Sequence, residues 1–127
     1  MTMNHPVVWF EVLGNDGARL QSYYADLFGW NIKLSGPKNY GEVDTGSKAG
    51  ISGGIASEYP GRGSGVTFYV HADDIPATLV RAQMLGGKVI TPPMQIPNGP
   101  LLAVFEDPEG HVIGLVKDVD GPVPSPA

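Results

Sequence analysis

The first apolar run, Val7-Val8-Trp9-Phe10-Glu11-Val12, is rich in strand formers. Alternation with period 2 puts Val8, Phe10 and Val12 on one face and Trp9 and Glu11 on the other. Gly14-Asn15-Asp16-Gly17 ends that strand, and Asp16 is placed to cap a helix. From residue 18 to 28 the period changes. Leu20, Tyr23, Tyr24, Leu27 and Phe28 recur at steps of three and four, which predicts an amphipathic helix with Tyr23, Tyr24 and Phe28 in the core. Gly29 is its stop, because a left-handed cap is free of strain only without a Cβ. Residues 30–34, 40–44 and 50–57 are three short strand candidates. The last carries Gly50, Gly53 and Gly54, a sign of close backbone approach or of a bulge.

After Pro60-Gly61-Arg62-Gly63-Ser64-Gly65, a linker by composition, the same order returns. Residues 66–72 alternate with Thr67, Tyr69 and His71 on one face and Val66, Phe68 and Val70 on the other. Asp73 or Asp74 caps a second helix, Pro76 suits its first turn, and Gly86-Gly87 ends it. Lys88-Val89-Ile90-Thr91 is a strand closed by Pro92-Pro93. Residues 101–106 and 111–117 are two more, joined by the turn Asp107-Pro108-Glu109-Gly110. Asp16 precedes Gly29 by the same interval as Asp73 precedes Gly86. The expected architecture is therefore α+β: one domain of two βαβββ modules, residues 6–58 and 66–117, with a linker at 59–65 and a flexible tail at 118–127. Each module covers one sheet face with its helix, and the two free faces of curved mixed sheets are expected to enclose a cleft.

Composition narrows the function. With 127 residues and 42% apolar positions, the chain is long enough to own a core. It has no cysteine, which excludes a disulfide framework, a thiolate zinc site and a cysteine nucleophile. A net charge of −5, with its 8 basic residues scattered singly, argues against nucleic acid. No apolar run is long enough to span a bilayer, and the N-terminus has no basic region or small-residue cleavage site of a secretory signal. A cytoplasmic location is the expectation. The Gly61-Arg62-Gly63-Ser64-Gly65 stretch lacks the lysine and the following helix of a phosphate loop.

Several motifs, in order, resemble the vicinal oxygen chelate superfamily of glyoxalase I, bleomycin-resistance proteins and extradiol dioxygenases. They are Tyr23-Tyr24-Ala25-Asp26-Leu27-Phe28-Gly29-Trp30 at the end of the first helix, residues 69–75, Gly86-Gly87-Lys88-Val89, and Phe105-Glu106-Asp107-Pro108-Glu109-Gly110-His111-Val112-Ile113-Gly114-Leu115. The resemblance covers residues 6–117 and implies paired βαβββ modules, often assembled as a two-fold homodimer. In metal-dependent members it implies His or Glu ligands on the first strand of each module and Glu near the end of each module. Counted back from the capping aspartates, the first-strand positions are Trp9 and Thr67, and the last-strand position is Gly114. An indole, an alcohol and a glycine do not make the hard or borderline ligand set such an ion needs. No metal and no other cofactor is expected.

The inward faces then hold Trp9, Glu11, Thr67, Tyr69 and His71, a set suited to a flat or amphipathic organic ligand. Each has an ordinary alternative. Trp9 also suits core packing, Glu11 an acid hydrogen-bonded to its neighbours, and His71 a solvated strand end. Glu11 is the candidate for acid–base chemistry, since burial raises a carboxyl pKa. Trp30 fits either a cleft mouth or a dimer seam. The leading expectation is a metal-free small-molecule-binding protein, its ligand a cationic or aromatic compound such as an antibiotic, since acidic and aromatic surfaces attract cations. The alternatives are a metal-dependent lyase, isomerase or dioxygenase of the glyoxalase type, a metal-free enzyme using Glu11, Tyr69 or His71, and a dimerisation module.

Overall fold

The computed structural model describes residues 5–60 and 62–117; the expected tail, and Gly61 of the linker, lie outside the described residues. The elements run β1 (Val7–Gly14), α1 (Gly17–Phe28), β2 (Asn31–Ser35), β3 (Tyr40–Asp44), β4 (Gly53–Ser57), β5 (Gly65–His71), α2 (Ile75–Met84), β6 (Lys88–Gln95), β7 (Leu101–Glu106) and β8 (Val112–Lys117). This is an α+β fold with the βαβββ order stated twice. The chain divides into two compact units, residues 9–66 and residues 5–8 with 67–117.

In the N-terminal unit the strand order is β2-β3-β4-β1. β1 and β4 are parallel, with Phe10 opposite Gly53 and Glu11 opposite Gly54, and β3 runs antiparallel to both β2 and β4. Asp16 caps α1, its side chain accepting from the Arg19 N–H, and Gly29 closes the helix at φ 71°. Gln21 pins the helix to β4 by donating to the Ile55 carbonyl at 2.7 Å. Gly17 lies so close to the β4 backbone that a Cβ would overlap Ser57 N and Ala56 C. The helix packs over β4 and β2. Its apolar stripe is broader than that footing, so Tyr23 and Phe28 are 58% and 56% exposed and are not core residues. The rings consolidate sideways: Tyr24 stacks on Phe28 and on Trp30, which also meets Phe10 at 5.7 Å. Trp30 thus belongs to an aromatic shelf beside α1.

In the C-terminal unit the order is β5-β8-β7-β6, with β5 parallel to β8 and the other pairs antiparallel. Asp74 caps α2, with the same φ −127° and ψ 88° as Asp16. Ala72, Ile75, Leu79, Ala103 and Leu115 form the core, with Val70, Val89 and Phe105 packed around it. The expectation that Pro92-Pro93 closes a strand fails: both prolines lie inside β6, which continues to Gln95. β6 is the edge of its unit and changes register against β7 twice, and an edge with bulges is where a residue without an N–H is tolerated. The alternation of β5 holds on the inner side, where Thr67 and Tyr69 are buried. On the other side Val66 and Phe68 are exposed, because α2 lies over β6, β7 and β8 and leaves the start of β5 uncovered. Among the described residues, no helix is long and apolar enough to cross a membrane.

Candidate functional site

The inward residues of β1 meet partners that no local pattern announces. Glu11 is 1% exposed, yet both carboxylate oxygens are engaged. Tyr40, at the start of β3, donates its hydroxyl to Oε2 at 2.9 Å. Arg62 places Nη2 3.2 Å from Oε1, and Tyr59 points its hydroxyl at the same oxygen from 3.5 Å. Trp9 completes a directed chain, its indole N–H donating to the Tyr40 oxygen at 3.1 Å. The Arg62 guanidinium also sits 5.9 Å from the centre of the Tyr59 ring, within cation–π range. A charge removed from water survives only where an opposite charge and hydrogen bonds replace hydration, and this cluster supplies both.

Glycines make room for it. A Cβ at Gly54 would overlap the Tyr40 phenol, so Tyr40 reaches Glu11 only because the facing β4 position is bare. On the neighbouring position the Phe10 ring covers Gly53 in the same way. A small pocket of about 210 Å3 opens beside the cluster, walled by Lys38, Tyr40, Ala56, Ser57, Glu58 and Tyr59. Tyr40 and Tyr59, the two phenols that hold Glu11, are therefore also pocket walls.

Residues 3–115 match the model of the Glyoxalase/Bleomycin resistance protein/Dioxygenase superfamily. The chain belongs to that superfamily. Among curated proteins it is 27% identical over 114 residues to CFP32 of Mycobacterium tuberculosis (87% of this chain, 43% of that one). It is 28% identical over 123 residues to the anthracycline biosynthesis protein DnrV of Streptomyces peucetius (84% and 45%). The chain thus spans less than half the length of these two relatives. Among solved structures, methylmalonyl-CoA epimerase of Streptomyces coelicolor in complex with 2-nitronate-propionyl-CoA superposes with a TM-score of 0.58 at 14% identity, covering 94% of this chain and 98% of that one. That likeness is one of fold.

The superfamily's divalent ion can be tested against the residues at its expected positions. Trp9 offers a donor N–H already given to Tyr40 and no lone pair for a cation. Gly114, opposite Tyr69 in the β5–β8 register, is roofed by the Tyr69 ring, which occupies the space a side chain would need. Thr67 contributes at most a neutral hydroxyl. The buried carboxylate at hand, Glu11, is bound by Arg62 and two phenols. Among the described residues, no group of three or more His, Asp or Glu could hold an ion. The residues present do not fit the metal.

Of the other candidates, Thr67 and Tyr69 are buried at 6% and 2% exposure in the C-terminal unit. His71 is partly exposed at the strand end, its Nε2 3.7 Å from Asp73, and its carbonyl faces the His5 ring nitrogen at 3.0 Å. It stands apart from Thr67 and Tyr69 in burial and partners. His111 is exposed and pairs with Asp107 across the final turn at 2.9 Å. Sequence reasoning missed Tyr40, Tyr59 and Arg62. Arg62 sits in the stretch that composition marks as a linker, and the signal available was indirect: an inward glutamate on a strand requires a cation from somewhere.

Proposed function

We propose that this superfamily member binds a small organic molecule and acts without a resident metal ion. The reading is carried by the saturation of Glu11. A carboxylate locked to a guanidinium and two phenols is a poor ligand for a cation and a poor general base, but a stiff support for aromatic walls. The pocket beside Tyr40 and Tyr59 is the entry to that support, with Lys38 and Glu58 as polar anchors. In the N-terminal unit Trp9 and Glu11 remain proposed ligand-recognition residues, now joined by Tyr40, Tyr59 and Arg62; in the C-terminal unit Thr67, Tyr69 and His71 remain proposed ones of that unit. Because Arg62 cancels the charge of Glu11, the favoured ligand is planar and near neutral, not a cation. The epimerase of the same fold, solved with a CoA derivative, supports only the broader class, a small organic ligand. Exposed apolar residues outside both pockets, among them Leu27 and Leu34, support a homodimer as the working form.

Metal analysis of protein purified without chelators, together with a thermal-shift screen of planar organic compounds, tests this reading. Substoichiometric metal, no effect of EDTA on Tm, and stabilisation by a planar compound that Tyr59→Ala abolishes are expected. Stoichiometric nickel, zinc, manganese or iron would overturn it.

A further inference from the structure

A second concavity lies at the end of β1, and none of its walls belongs to the buried cluster or the pocket above. It is a groove of about 450 Å3 in the N-terminal unit, between the end of β1, the first two turns of α1 and the start of β5. Its walls are Val12, Leu13, Leu20, Tyr23, Tyr24 and Val66. By strand alternation Val12 faces away from Glu11, so the groove shares no side chain with the buried cluster. Two features distinguish it from ordinary surface. Tyr23 and Val66 are 58% and 75% exposed, so large apolar groups stand open to water around a concave floor. The volume falls in the range of small-molecule sites, which are apolar with a few polar groups at the rim.

Arg19 supplies the charge at that rim. Among the described residues it makes no ion pair. Asp16 lies nearby, but its carboxylate is engaged by the Arg19 N–H as the helix cap, at 3.1 Å. The capping bond leaves Asp16 its negative charge, so the rim tolerates one anionic group paired with Arg19 and disfavours a second. We propose that this groove binds a flat apolar organic monoanion, with rings against Leu20, Tyr23 and Tyr24 and the acid group at Arg19.

The test uses two dyes on the intact chain: 1-anilinonaphthalene-8-sulfonate, and N-phenyl-1-naphthylamine, which has the same rings and no charge. One sulfonate dye should bind per chain. Arg19→Gln should weaken the sulfonate dye about threefold, as expected for an exposed ion pair, and leave the neutral dye unchanged. Val66→Asp should weaken both dyes at least tenfold with an unchanged urea midpoint; should that midpoint move, Tyr23→Ala provides the same reading. Met84→Ser, on the exposed face of α2, should change neither. Binding that survives Val66→Asp and Tyr23→Ala, or that falls with Met84→Ser, overturns the proposal. So does a dimer that excludes the dyes and that Val66→Asp converts to monomer, since the groove would then be filled by a second copy.

Discussion

Removing the guanidinium from the Glu11–Arg62 pair is the most direct perturbation of the buried cluster. Both side chains are nearly inaccessible, at 1% and 6%, and 3.2 Å apart, so the pair is screened little by solvent. Arg62→Met keeps the length and apolar body of the side chain and deletes the charge. Glu11 then stays buried with its phenol partners but without a counter-ion. Breaking a buried pair from one side costs about 3–5 kcal/mol. The low end applies here, because the Tyr40 hydrogen bond persists at 2.9 Å and continues to solvate the carboxylate. A loss of about 3 kcal/mol in a chain of this size lowers Tm by roughly 11 °C, given about 2.1 cal/mol/K of unfolding entropy per residue. The second arm is the double variant Glu11→Gln with Arg62→Met, which removes both charges. It should lose less than Arg62→Met alone, by about 1 kcal/mol or more, because no unpaired charge remains. Urea unfolding followed by fluorescence in a Trp30→Phe background isolates Trp9, which reports on the cluster through its bond to Tyr40. The reasoning is refuted if Arg62→Met costs under about 1 kcal/mol, or if adding Glu11→Gln deepens the loss additively.

Further outcomes follow from the same structure. Gly54→Ala should cost about 1–3 kcal/mol by forcing Tyr40 off the β4 backbone, and should red-shift Trp9 emission as the indole loses its acceptor. Gly114→Glu, which introduces the acid that the resemblance implies in metal-using members, should lower Tm and bind no nickel in equilibrium dialysis, because the Tyr69 ring fills the required space; tight stoichiometric binding would contradict the fit argument. Hydrogen bonds from the His111 backbone and side chain and the Glu109 backbone hold the Asp107 carboxyl below its usual 3.8. That group therefore stabilises the fold above pH 3.8, and its contribution is lost as pH falls through the depressed value. Asp107→Asn should lower Tm at pH 7, and the gap from the parent protein should shrink below pH 4; a constant gap down to pH 2.5 would refute the assignment.

Local physics was legible in the sequence wherever one residue decides one element. Asp16, Gly29 and Asp74 mark helix ends through side-chain or backbone chemistry that needs no tertiary partner. The inward faces of β1 and β5 followed from alternation alone. What alternation could not show was which outer faces a helix covers: α2 shields the strands beyond β5, so Val66 and Phe68 look like core residues in the sequence and are surface in the fold. Pro92 and Pro93 read as a stop, since their tolerance depends on an edge position that only sheet order reveals. The buried cluster was the least legible part. Glu11 finds Tyr40 and Tyr59 at separations of 29 and 48 residues, and its cation comes from a glycine-rich stretch with no periodicity.

Phe10, Tyr40 and Tyr69 each lie across a bare strand position, at Gly53, Gly54 and Gly114. Ring and hydrogen form one interlocking unit, so exchanging either member alone disturbs the other. A chelating acid could fit at position 114 only in company with a slimmer residue at 69, which takes two coordinated replacements. Positions 69 and 114 are thus expected to vary together.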